Sequence, residues 1–437
     1  MSAIAGDRPA GHRPVGQLVQ LSLYWLGLSS IWAGVDLILS GRLQFDALVP
    51  KGSEASALFL LTVGGAIVAV VVQPTIGTIS DYTATRWGRR KPYIFIGSLL
   101  DLVFLYAIGT SNGLLAIGVL YMLLQFSSNF AQGPFQGYVP DLVPAAQVGL
   151  ASGLVGMFQV LGNVAGFLIG SLAVGSHSYL LGFVALAAIE VVTMLSVVIG
   201  VDEGRDAMPR NGRSWLAIAA DAWGADVLAN RSFVLLVLSR LFVLMGGATL
   251  VKLALFYLAQ THGLDEQETS STLIVVLALV TVGNLVAVIP ASRLSDRIGR
   301  KAVIYGSCAV GAVGLTTCAL APSLQVAFVG VTLFGISSGT FLSVDWALMT
   351  DTIPKAASGR YMGISNLATG SAGIFAIMIG GTISDVVNRS VGYGTGPRVA
   401  YLLAVAWFVV GAILLRGVVQ ERASRGPAGE TRIAEPA

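Results

Sequence analysis

The stretch VVQPTIGTISDYTATRWGRRKP, Val71 to Pro92, sets the problem. An apolar run ends in Ser80-Asp81, and six residues later Gly88-Arg89-Arg90-Lys91 appears, with another apolar run starting at once. Basic residues between two long apolar runs hold a loop on one side of a membrane. The rest of the chain fits that setting. Of its 437 residues, 55% are hydrophobic and 11% charged, with mean hydropathy +0.78, against about 25% charged in a soluble domain. A helix needs roughly 20 mostly apolar residues to cross the hydrocarbon core. Twelve such runs occur, at 17–40, 56–79, 92–110, 113–138, 148–173, 178–200, 232–259, 271–291, 302–320, 323–348, 360–384 and 398–417. They are continuous rather than alternating, so the expected fold class is an all-α membrane protein and not a barrel. The 53 glycines suit the close approach of membrane helices.

Charge placement gives the orientation. Of the 26 lysines and arginines, twenty fall in the two ends and the loops at 80–91, 201–231, 293–301 and 352–360. Four (Arg42, Lys51, Arg389, Arg398) fall on the other side, and Arg240 and Lys252 lie within spans. The bias places both termini in the cytoplasm of a multi-pass cell-membrane protein. The first run is too long for a cleaved signal peptide and is kept as a span. Cys308 and Cys318, ten apart in one span, cannot meet as a disulfide. His12, His177 and His262 all fall in loops or tails, which leaves no histidine to titrate within the membrane. The sequence has no phosphate-binding Gly-x-x-x-x-Gly-Lys-Ser/Thr loop, no metal-ligand spacing and no nucleophile–base arrangement. ATP-driven pumping, metal or cofactor chemistry and enzyme activity are therefore not expected, nor is a nucleic-acid partner.

A shift of 210 residues aligns Ser127-Ser128 with Ser337-Ser338, Asp141 with Asp351, Pro144 with Pro354, Gly149 with Gly359 and Ile169-Gly170 with Ile379-Gly380. The opening stretch repeats as well: Ser80-Asp81 and Gly88-Arg89-Arg90 correspond to Ser295-Asp296 and Gly299-Arg300-Lys301, the first copy being four residues longer. Two related six-span halves follow. The expected division is a tail at 1–16, a bundle at 17–200, a linker at 201–231, a second bundle at 232–418 and a disordered tail at 419–437. Within the linker, Leu216, Ala220, Trp223 and Val227 share one face of a short interfacial helix over 214–230.

Arg86, Arg89, Arg90 and Lys91 fix topology, but an acid such as Asp81 contributes little to it. A carboxylate at the end of the second span can neutralise a helix N-terminus and pair with loop arginines, for roughly 0.3 to 1 kcal/mol when exposed. The expectation is a latch that holds one closed state, built from Asp81, Gly88, Arg89 and Arg90, from Asp296, Gly299, Arg300 and Lys301, and from Asp141 and Asp351. These loops resemble the signature of the major facilitator superfamily. In detail, Val72-Gln73-Pro74, Gly77, Ser80-Asp81, Gly88-Arg89-Arg90 and Pro92 look like the version in the sucrose/proton symporter family, of the glycoside–pentoside–hexuronide type. The run from Asn129 through Gln132-Gly133-Pro134 and Gln136 to Asp141 is similar to that family's fourth span. Where those symporters carry an arginine two residues after the proline, this chain has Gln136. The resemblance implies the major facilitator fold, with spans one, four, seven and ten lining a central cavity and three, six, nine and twelve outside it.

Ionisable residues in mid-membrane cost about 2.5 to 3.5 kcal/mol and face protein or water. On the implied cavity spans lie Asp36, Arg240, Lys252 and Asp345, and their depths pair Asp36 with Lys252 and Arg240 with Asp345. Asp101 and Glu190, on outer spans, read as structural. Gln125, Asn129, Gln132 and Gln136 are spaced four, three and four apart, on one helical face. Amides donate and accept without charge, which suits hydroxylated neutral ligands. Gln159 and Asn163, Asn284 and Asn366 add further amides, and Trp32 could stack on a sugar ring. The leading expectation is a secondary transporter importing a neutral sugar or glycoside with a proton, acting as a monomer, with Asp36 or Asp345 as the coupling carboxylate. The alternative is a proton-driven exporter of drugs or metabolites, against which stands the absence of proline in Gly162-Asn-Val-Ala-Gly166-Phe-Leu-Ile-Gly170.

Overall fold

An apolar run in hydrocarbon has to satisfy its own backbone, and each of the twelve becomes a helix. The computed structural model describes residues 12–83, 85–144, 147–203, 230–352, 365 and 370–418. The first six long helices are α1 Val15–Phe45, α2 Glu54–Asp81, α3 Lys91–Thr110, α4 Leu114–Gln136, α5 Val148–Gly175 and α6 Tyr179–Gly200. The second six are α7 Arg231–Thr261, α8 Glu266–Ile298, α9 Arg300–Leu320, α10 Leu324–Thr352, α11 Gly370–Ser390 and α12 Gly396–Arg416. All twelve are long and apolar enough to cross a membrane. The last turn of α7, Tyr257–Thr261, and the middle of α11, Ala376–Gly381, are π-helical.

Several helices outrun their apolar stretch because caps, not hydropathy, end a helix. α8 begins at Glu266 rather than 271, since the Asp265 carboxylate accepts the N–H of Glu268 at 2.8 Å and the Glu268 side chain accepts the N–H of Asp265. It ends at Gly299, whose φ of +95° an L side chain rarely adopts. The proposed linker helix at 214–230 and the tail at 419–437 lie outside the described residues.

Helices α1 to α6 pack among themselves, as do α7 to α12. A close backbone approach brings α5 onto α1: a Cβ on Gly166 would lie 2.3 Å from the carbonyl oxygen of Ser30. Gly166→Ala must therefore push the helices apart, and is expected to cost about 1 to 3 kcal/mol. A lower melting temperature of the detergent-purified protein would register this, and an unchanged one would contradict it.

The start of α1 and the end of α12 share one face of the bundle, the near face. Among the described residues, polar contacts between the halves cluster toward the opposite, far face. There Gln260 donates to Gln44 at 2.8 Å, and within the second half its own side-chain oxygen accepts from Asn388 at 2.8 Å. Tyr179 donates to Glu266 at 2.6 Å, and the N–H of Ser56 donates to Asp385 at 2.6 Å. Ser270 also donates to the carbonyl of Ser171.

Candidate functional site

At the centre of the bundle Asp36 of α1 and Lys252 of α7 form an ion pair, each side chain about a quarter exposed. Within the spans it is the one ion pair joining the halves among the described residues. A cavity of about 340 Å³ opens beside Lys252 within the second half, walled by Val251, Phe334, Phe341 and Ala372, with Ser337 and Ser338 as further polar groups. The other pair sits deeper in the second half. The Nε of Arg240 lies 2.7 Å from the carboxylate of Asp345, both nearly inaccessible, and Arg240 also donates to the hydroxyl of Ser365.

The amide stripe of α4 does not face one space. Gln125 is buried against α2, where a Cβ on Gly65 would lie 2.7 Å from its amide nitrogen, and it donates to the hydroxyl of Tyr121 at 2.7 Å. Asn129 is buried too, donating to the carbonyl of Gln125 at 2.7 Å. These two amides are thus occupied by their own helix in this conformation. Gln132 is half-buried and Gln136 exposed. Helical spacing sets which residues share a face but not which neighbour covers it. Trp32 and Gln159 are half-buried and Asn163 is exposed. Asn284 packs under Gly339, and its side-chain oxygen is buried without a hydrogen-bond partner among the described residues. Asn366 lies outside the described residues.

The side chains of Asp81, Asp296 and Asp351 also fall outside the described part. Among the described residues the loop arginines pair with Asp141, in the short helix Tyr138–Leu142 that follows α4: Arg89 donates to it, and an Arg90 nitrogen lies 2.7 Å from the same carboxylate. Arg90 lies across the backbone of Gly137, where any Cβ would collide with its guanidinium, and donates to the carbonyl of Pro134 at 3.0 Å. One oxygen of Glu203 accepts the N–H groups of Arg90 at 3.1 Å and Lys91 at 3.0 Å, filling the space over Gly88, whose φ is +119°. These contacts stay within one half. In the second copy Gly299 caps the start of α9 and Lys301 donates to the carbonyl of Val418. Arg300 starts α9 and is half-buried.

Asp101 and Glu190 are fully buried, as their outer spans suggest. The hydroxyl of Ser127 donates to Asp101 and that of Tyr24 to Glu190 at 3.1 Å, so the pair ties α1 and α4 to α3 and α6. No histidine enters the spans. His262, in the turn between α7 and α8, is half-buried, and burial with nearby Arg398 lowers its imidazole pKa from the ordinary value. Sequence reasoning missed Glu203 and the far-face residues Gln44, Gln260 and Asn388. Their one sequence signal is polarity at the tips of spans.

A sequence profile for the family described as "MFS/sugar transport protein" matches residues 51–419. The sucrose transport protein SUT1 of Oryza sativa subsp. japonica is 30% identical over 177 residues, which is 35% of this chain and 33% of that protein. The general alpha-glucoside permease of Schizosaccharomyces pombe is 27% identical over 198 residues, 41% of this chain and 36% of that protein. The chain thus matches about a third of the length of each of these two relatives. Among solved structures, a bacterial homologue of the human lysosomal transporter Spinster, inward-facing and unoccupied, superposes with TM-score 0.69 at 15% identity, over 93% of this chain and 97% of that one. A variant of the nucleoside transporter NupG also gives 0.69 at 15%, over 92% and 100%. At such identity these two speak for the fold alone, two pseudo-symmetric six-helix bundles.

Proposed function

The chain belongs to the MFS/sugar transport protein family, a multi-pass membrane transporter and not an enzyme, and from that premise we propose that it imports a neutral sugar or glycoside together with a proton. What carries the reading is the Asp36–Lys252 pair, an ionisable contact between the halves whose lysine also lines a cavity in the second half. Asp36 takes a proton from the far side as the sugar binds, which weakens its tie to Lys252 and lets the loaded halves close at the far face and open at the near face. Loss of the proton to the cytoplasm re-forms the tie as the sugar leaves, and the empty carrier then returns. The carboxylate has to carry the proton because the spans lack histidine. The excess of lysine and arginine in the near-face loops supports that side as the cytoplasmic one in this reading, with the cell membrane as the proposed site of action. The division at 17–200 and 232–418 is then that of two rocking bodies, working as a monomer. Ligand contact falls to Gln132, Gln136, Trp32, Gln159 and Asn163 from the first half and Asn284 and Asn366 from the second. Gln125 and Asn129 sit behind them.

Uptake of a panel of labelled disaccharides and glycosides into proteoliposomes tests this. Accumulation above the outside concentration only under an inward proton gradient is the expected result. No sugar uptake, together with drug extrusion from cells, would contradict it.

A further inference from the structure

The loop copy in the first half is four residues longer than its counterpart, and the extra residues build something. Arg86 and Trp87 stand over a cleft of about 490 Å³ between the start of α3 and the end of α6. Trp87 is 58% exposed and held edge-on against Phe95 at 5.6 Å between ring centroids. Lys91 joins Arg86 on the rim, with Asp202 beside them and the Glu203 carboxylate turned to the backbone N–H groups of Arg90 and Lys91 over Gly88. Unlike Arg89 and Arg90, which Asp141 takes up, neither Arg86 nor Lys91 forms an ion pair among the described residues. The wall below the rim is apolar, with Leu195 and Ile199 of α6 exposed, and it continues along the outward flank through Val192 and, on α3, Ile96 and Val103.

The related cleft between α9 and α12, about 250 Å³, carries one cation, Arg416, beside Tyr305, and lacks the second cation and the tryptophan; the lysine of its shorter loop, Lys301, donates to Val418. The geometry points to a bound anionic phospholipid in the α3/α6 cleft, its phosphate between Arg86 and Lys91 and its acyl chains along Leu195 and Ile199. A soluble anion would satisfy the rim and leave the wall unused, whereas a lipid satisfies both. Tryptophan at headgroup depth and unpaired cations at the membrane surface suit this occupant.

The test uses the full chain in nanodiscs of phosphatidylcholine doped with chain-brominated phosphatidylglycerol or chain-brominated phosphatidylcholine. The difference in fluorescence quenching between the native protein and Trp87→Phe isolates Trp87 from the other tryptophans. Brominated phosphatidylglycerol is expected to quench Trp87 at least about fivefold more effectively than brominated phosphatidylcholine, the preference a single surface cation confers. Arg86→Gln with Lys91→Gln abolishes the preference, and Arg86→Gln alone, at an exposed position, reduces it. Equal quenching by both lipids, a preference surviving in the folded double variant, or displacement by millimolar inorganic phosphate would each overturn the assignment.

Discussion

Replacing Asp345 with alanine is expected to destabilise the second half by about 3 to 5 kcal/mol, because it leaves a buried guanidinium without its counter-ion. Arg240 and Asp345 are both almost fully buried and 2.7 Å apart, and the neutral hydroxyl of Ser365 cannot replace a carboxylate. The double replacement Arg240→Met with Asp345→Leu removes both charges and keeps the volume, so it should recover most of the loss. Thermal unfolding of the detergent-purified proteins makes the comparison. A single variant as stable as the parent would mean that the pair is solvated or unimportant. A double variant no better than the single would mean that packing, not charge, dominates there.

Asp36→Asn should abolish accumulation of sugar while leaving equilibrating exchange across the membrane. The amide cannot carry the proton, yet it still fits beside Lys252. Counterflow in proteoliposomes reports exchange, and uptake under an inward proton gradient reports coupling. The charge-swapped pair Asp36→Lys with Lys252→Asp keeps the tie between α1 and α7 and should restore folding and part of the uptake. Gradient-driven accumulation surviving in Asp36→Asn would move the coupling to another group, with Asp345 next in line. A swap that rescues neither folding nor uptake would end the pairing.

The spans were legible because their apolar runs are long and uninterrupted, and the loop copies because Ser-Asp and Gly-Arg pairs recur at matching places. Depth along a helix was legible too: Asp36 and Lys252 lie at similar distances from the ends of α1 and α7, as do Arg240 and Asp345 in α7 and α10, and the structure brings each couple together. Azimuth was not. The stripe from Gln125 to Gln136 is one face of α4, but Gly65 of α2 covers its upper part, and nothing in the spacing of α4 tells where α2 will lie. Long-range polar partners were equally hidden. Tyr179 and Glu266, or Gln44 and Gln260, meet because two halves dock, and no local pattern encodes docking. Asp141 was singled out by its repeat, but that it would take up Arg89 and Arg90 depends on the bare backbone at Gly137, which lets a guanidinium lie across it.

The central claim is that the two halves part at the far face in every transport cycle. Gly175 of α5 and Ser270 of α8 meet across that face, a Cβ on Gly175 lying 2.5 Å from that of Ser270, so Gly175→Cys with Ser270→Cys can form a disulfide after slight relaxation. Oxidation of this double variant in proteoliposomes should stop uptake and a reductant should restore it. Uptake that continues unchanged with the disulfide fully formed would contradict the account.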